Sequence, residues 1–302
     1  MSHNSDILTR FAPSPTGYLH LGHAFAAKEA FNFGPCLLRV EDIDHTRCKP
    51  EYEAAIYEDL KWLGFKWPQP VRVQSKHISE YDAVIERLRE MDLVYRCFKS
   101  RKETLLATAR NAAKNGRGAL LYQGPETPLT TEQEEEKIAA GIPFSWRISI
   151  AKSRDYLGDS FDALSYMETG FDDTLRPPGE RLAHAGSFGD EILARKDIGT
   201  SYHIAVCHDD ALQNITHVVR GTDLARTTGF HRLLQELMGW PTPVYHHHPL
   251  LLGGDGEKLA KRKNDTAILS YRLDGLSPAQ VKDMARYDGA PQSTIAPDTL
   301  SV

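Results

Sequence analysis

The sequence is short of the features that would make it a membrane or secreted protein. No apolar run in its 302 residues approaches the roughly 20 that a membrane-spanning helix needs, so no membrane partner is expected. Residues 1–9 are polar and lack the apolar centre of a secretory leader. Cysteine is scarce: Cys36, Cys48, Cys97 and Cys207 lie far apart and form no C-x-x-C pair. That usage fits a reducing, cytoplasmic setting and not a disulfide framework. There is no Walker motif, no G-x-G-x-x-G, no internal repeat and no low-complexity tract. The net charge of −5 neither points to nucleic acid nor excludes it, because phosphate binding needs a local basic groove and not a basic total.

What is present alternates between strand and helix. "DILTRFA" (6–12) reads as a short strand, and "HLGHAFAAKEAFNF" as a helix with Ala24, Ala27 and Phe31 along one side. "CLLRVEDID" (36–44) is a second strand whose apolar start fits a parallel sheet covered on both faces. "PEYEAAIYEDLKWLGF" is a helix with Pro50 in its first turn. Ser79 opens another helix running to Met91, with Asp82 in a capping-box position. Residues 96–190 break the pattern with a basic helix (101–115), a Pro/Gly loop (124–128), an acidic helix start "TTEQEEEK" and the strand-like "FSWRISI". The α/β pattern resumes with "EILARK", "SYHIAVC" and "ITHVVRG". A helix from Thr222 to Met238, the strand "PVYHHHPLLL" and a helix opened by Ser277-Pro278 follow.

The stretch "RFAPSPTGYLHLGH" (10–23) turns from strand to helix through two prolines and Gly17. A helix N-terminus carries unpaired N–H groups and partial positive charge, which makes it a phosphate site. Gly22 lets a flat ring approach closely, and His20 and His23 share the first turn. The plain alternative is a tight turn with two surface histidines. Near the other end, "EKLAKRKND" crowds Lys258, Lys261, Arg262 and Lys263 into a Gly-rich loop, suited to stabilising a leaving pyrophosphate. Taken alone, such a run reads more readily as a solvated basic loop.

Together the two motifs resemble the HIGH and KMSKS signatures of the class I aminoacyl-tRNA synthetases. "RFAPSPTGYLHLGH", "LLRVEDID", "SYHIAVCHDD", "ITHVVRGTDL" and "PLLLGGDGEKLAKR" resemble the glutamyl branch. The chain ends soon after the lysine loop, without room for an anticodon-binding region, and this layout resembles the glutamyl-queuosine tRNA(Asp) synthetases. The resemblance implies an α/β fold with a Rossmann-type parallel sheet, an inserted small α+β subdomain and no anticodon-binding domain. The expected division is 1–95 and 191–302 for the two halves of the catalytic domain and 96–190 for the insertion.

It further implies activation of L-glutamate by ATP with Mg²⁺, then transfer to the queuosine base of tRNA(Asp). The anticodon stem-loop would be the partner and the protein a monomer. His20, Gly22 and His23 would hold the ATP phosphates, with Lys258 and Lys261 on the other side and His20, His23 and Lys261 as the catalytic set. Arg10, Ala12, Ser14, Glu41, Tyr202 and Arg220 would form the glutamate pocket, Glu41 taking the ammonium and Tyr202 and Arg220 sitting on strands. Two other readings stay open: a glutamyl-tRNA synthetase charging the 3′ end of tRNA(Glu), and a non-catalytic tRNA-binding paralogue.

Metal candidates are weak. Many relatives of the queuosine type carry zinc on a C-x-C pair, a Tyr and a Cys. Here Cys97 is followed by Lys99, and Tyr122 by Glu126. A protonated lysine has no lone pair to give, so no zinc is expected, with Phe98 and Leu121 packing the subdomain instead. In "YHHHP" (245–249), His246 and His248 would face away from His247 on a strand, which makes chelation awkward.

Overall fold

The computed structural model describes residues 7–115, 121–125, 127–171, 176–251 and 266–286. Ten strands occur among them: β1 (Thr9–Phe11), β2 (Cys36–Val40), β3 (Arg72–Val73), β4 (Val94–Cys97), β5 (Ser145–Ile148), β6 (Ser165–Glu168), β7 (Gly179–Leu182), β8 (Ile192–Ala194), β9 (His217–Gly221) and β10 (Val244–His248). β1, β2 and β3 form a parallel sheet in that order. A second sheet runs β7-β6-β10-β9, parallel except for β7. The Leu8 carbonyl accepts from the Thr216 and His217 N–H groups at 3.0 and 3.1 Å, so β9 lies beside β1. The result is the Rossmann-type α/β core expected from the sequence. β4, β5 and β8 make a separate antiparallel sheet.

The helix Leu21–Phe33 packs on β1 and β9 through Ala24, Ala27 and Ala30, whose short side chains let it lie close to the strands. Phe11, Leu38, Ile56, Leu60 and Val219 complete that core. A second core gathers Tyr81, Ile85 and Leu88 of the helix Ile78–Glu90 with Ile204, Phe230 and Leu234. Among the described residues, no helix is long and apolar enough to cross a membrane.

Two sequence expectations are corrected. "SYHIAVC" is not a strand but the start of the helix Tyr202–Leu212, so Tyr202 sits in a first helical turn. That helix buries Ile204, Ala205, Val206, Cys207, Asp209 and Asp210 on most of its sides. A helix enclosed that way reads as a continuous apolar run, which periodicity cannot separate from a buried strand. The helix expected from Ser79 begins at Ile78, after a 3₁₀ turn at Gln74–His77, and its N-cap residue His77 makes no side-chain cap. Ser79 and Asp82 therefore lie inside the helix and form no capping box.

Candidate active site

His20 is the N-cap of the helix Leu21–Phe33. Its Nδ1 accepts from the Gly22 N–H at 3.1 Å, while His23 Nδ1 accepts from the His20 N–H at 3.2 Å. This is a reciprocal capping box built from two histidines, where Ser and Glu are usual. Because both Nδ1 atoms accept, the neutral rings carry their protons on Nε2 and meet a ligand as donors there. The ring centroids are 3.9 Å apart. His20 is also bridged to Ala267, and the Ile268 N–H donates to the Leu19 carbonyl at 2.8 Å. The segment that re-enters after the lysine loop is thereby fastened to the helix N-terminus. Lys258 and Lys261 themselves lie outside the described residues.

A cavity of about 550 Å³ opens at this helix end. Arg10, Ala12, Ser14, His20, Gly22, His23, Glu41, Tyr202 and Arg220 all line it, so every described member of the expected set comes together. Arg10, on β1, gives its Nε to Asp210 at 3.0 Å and its Nη1 to the Val219 carbonyl at 3.3 Å. No described residue engages its Nη2. Glu41 follows β2 and is 8% exposed; burial pushes its carboxyl up while Arg39 and Arg10 pull it down. Arg39 Nη2 donates to Glu41 at 3.3 Å and Nη1 to Asp210 at 2.8 Å. Asp209 accepts from Arg72, Gln74 and Tyr81 at 2.8, 3.0 and 3.0 Å; burial pushes its carboxyl up, but the His208 hydrogen bond and the Arg39 and Arg72 charges hold it below the usual range.

A second cavity, of about 1080 Å³, shares Ser14, Glu41 and Tyr202 with the first. Its lining mixes the cations Arg47, Lys99, Arg101, Arg147, Arg195 and Lys196 with the carboxylates Glu41, Asp44, Asp190, Glu191 and Asp197, and Arg195 and Arg47 are paired with Asp197 and Asp44. Behind that lining, the buried Cys97 has its Sγ 3.9 Å from the Oη of Tyr122, which does line the cavity. Glu126 falls outside the described residues. No group of three or more His, Cys, Asp or Glu side chains that could hold a metal occurs among the described residues, and the three histidines of β10 form none.

Sequence reasoning missed several members of this framework: Arg39, Asp209 and Asp210 under the arginines, and Glu168, His231 and His247 around Arg220. The run "HDD" at 208–210 was the one local signal, since a helix that buries two adjacent aspartates must bring cations to them.

Residues 6–294 match the family of tRNA synthetases class I (E and Q), catalytic domain. The chain is 40% identical over 292 residues to a glutamyl-Q tRNA(Asp) synthetase of Rhodobacter capsulatus, covering 91% of this chain and 98% of that protein. It is 36% identical over 279 residues to a glutamate–tRNA ligase of Aquifex aeolicus, covering 91% of this chain but 55% of the ligase. A solved glutamate–tRNA synthetase from Elizabethkingia anophelis superposes with a TM-score of 0.69 at 26% identity, covering 93% of this chain and 61% of that one. The chain thus spans between half and two thirds of these two longer relatives. With the helix-end histidines, the arginine-lined cavity and the family match in agreement, the chain belongs to the class I tRNA synthetases of the E and Q type and is a ligase of the aminoacyl-tRNA synthetase kind.

Proposed function

We propose that the protein activates L-glutamate with ATP and transfers it to the queuosine base of tRNA(Asp). The observation that carries the glutamate reading is the single cavity joining the two histidines to Arg10, Glu41, Tyr202 and Arg220. The queuosine reading is supported by the 40% identity to the R. capsulatus enzyme along 98% of its length.

No protein nucleophile is needed. A carboxylate oxygen of glutamate attacks the α-phosphorus of ATP, the bond to the bridging oxygen breaks, and pyrophosphate leaves. The acceptor hydroxyl then attacks the carbonyl of the mixed anhydride and AMP leaves. Catalysis is positioning and charge stabilisation. His20 and His23 donate from Nε2 to the phosphates, the peptide N–H groups of the first helical turn add positive potential, and Gly22 admits the nucleotide ring. Lys261, with Lys258, meets the charge that develops on pyrophosphate. Glu41 faces the substrate ammonium, and Arg10 and Arg220 its carboxylates. Ala12 and Ser14 line the same wall. The second, larger cavity would receive the anticodon loop, with Lys99 and Arg101 of its lining toward the phosphates. Mg²⁺ neutralises phosphate charge when it arrives with ATP, and no protein ligand set is assigned to it. We assign no zinc: Lys99 stands where a ligand would be needed.

Glutamate activation should proceed without tRNA, because the residues assigned to glutamate and to the ATP phosphates all belong to this chain, and protein groups hold the two arginines: Asp210 and the Val219 carbonyl for Arg10, His247 and Thr228 for Arg220. Glutamate-dependent exchange of pyrophosphate into ATP measures this directly. Exchange that starts only when tRNA is added would contradict the proposal.

A further inference from the structure

Arg220 is the most completely held side chain in the site. It lies on β9 directly across from His247 on β10, and β6 is the next strand over. Nε donates to His247 Nε2 at 3.0 Å. Nη2 donates to the Thr228 hydroxyl at 2.7 Å and to the Leu224 carbonyl at 3.2 Å. Nη1 faces His231 Nδ1 at 3.2 Å and the Tyr202 hydroxyl at 3.5 Å. A guanidinium has only donors, so His247 and His231 must both accept at those atoms.

The tautomers follow. His247 carries its proton on Nδ1, which lies 2.5 Å from Glu168 Oε2. The other Glu168 oxygen accepts from the His247 and Gly170 backbone N–H groups at 3.0 and 2.8 Å. Glu168 and His247 are both fully buried. Gly170 is pressed so closely on His247 that a Cβ there would stand 2.3 Å from its carbonyl oxygen. A carboxylate, an imidazole and a guanidinium therefore form one locked line across three strands. Neither Glu168 nor His247 lines the cavity; only Arg220 does.

We propose that Glu168 and His247 are positioning residues for amino-acid recognition: they clamp Arg220 in one plane, with Nη1 toward Tyr202, so that a substrate carboxylate is bound and a carboxamide refused. The proposal rests on the glutamate reading above. The contact from Nη1 to Tyr202 is the longest of the set, and both residues line the cavity, so an incoming carboxylate oxygen displaces it most easily. With His247 and His231 accepting from Arg220 on its buried sides, the group presents only donors to the ligand. The amide nitrogen of glutamine would meet donor against donor.

Glu168→Gln is the decisive variant because it changes almost no volume. Its amide N–H would face His247 Nδ1 and drive the ring to the other tautomer, setting an Nε2–H against the Nε–H of Arg220. Pyrophosphate exchange by the full chain should then show the glutamate KM raised on the order of tenfold or more, as for a lost hydrogen bond to a charged group. The kcat at saturating glutamate and the KM for ATP should hold, and glutamine should inhibit better. His247→Gln, which can accept from Arg220 and donate to Glu168, should retain a KM near that of the parent. If Glu168→Gln does not fold, His247→Leu takes its place in the same comparison. Arg220→Lys separates the two layers. A raised KM in Arg220→Lys with an unchanged KM in Glu168→Gln overturns the positioning role alone. An unchanged KM in Arg220→Lys overturns the glutamate pocket and the inference together. Loss of kcat and of ATP binding in step with glutamate KM would show a merely structural role and also overturn it.

Discussion

His20 serves two ends through two atoms of one ring. Nδ1 caps the helix and Nε2 is the donor assigned to phosphate. The roles can be parted by substitution. Asparagine is a good N-cap, so His20→Asn should cost little stability, whereas His20→Ala should lose about 1 kcal/mol of helix capping. Both should slow pyrophosphate exchange, by roughly 10²-fold for one lost transition-state donor. Full activity in a stable His20→Asn protein would mean the histidine only caps. The assigned ligands of the pocket were legible because Arg10, Glu41, Tyr202 and Arg220 each sit inside a recognisable stretch of sequence. Their supports were not. Glu168 and His247 are 79 residues apart, and nothing local to either one says that a strand pairing will bring them together.

Among the elements, the helices Pro50–Trp62 and Ile268–Leu273 meet across a poorly satisfied charge. Asp59 is fully buried, and neither of its oxygens accepts a hydrogen bond from the described residues. Arg272 Nη2 stands 3.7 Å away. Burial pushes the Asp59 carboxyl up to about 6, with Arg272 opposing. The folded protein thus holds a proton that the unfolded chain has released, and Asp59 lowers stability increasingly as pH rises from about 4 to about 6. Asp59→Asn should therefore raise the Tm at pH 7, by an amount equivalent to at most ~3 kcal/mol, and by much less at pH 4. An equal gain at both pH values in thermal melts would refute this. At this scale the sequence was a good guide where the ends are marked, as at Thr131–Ala139, an acidic helix that buries no residue but starts at a Thr130/Gln133 capping box. It misled at Tyr202–Leu212, where burial on most sides erased the helical period.

For the whole molecule, the same buried histidines that arrange the site make the fold sensitive to acid. Burial holds His203 and His248 down at about 4 and lowers His231 and His247 as well. The unfolded chain gains protons below about pH 6.5 that the folded core refuses, so stability is lost as pH falls from there toward 4. The raised carboxyls of Asp59, Glu29, Glu41, Asp190 and Glu191 work the other way, against the four histidines. Urea midpoints should fall steadily between pH 6.5 and 4.5, and a flat profile would contradict the buried neutral tautomers. The broad α/β layout was legible from the alternation of strands and helices. The placing of β6 beside β10 was not, because it joins residues on either side of the whole Tyr202–Met238 region. The proposed acceptor, a base of the anticodon, can be located directly. Charging queuosine-containing tRNA(Asp) with labelled glutamate, followed by nuclease digestion, locates the acceptor. The label should appear on the wobble nucleotide fragment; label on the 3′-terminal adenosine, or on tRNA(Glu) alone, would contradict the account.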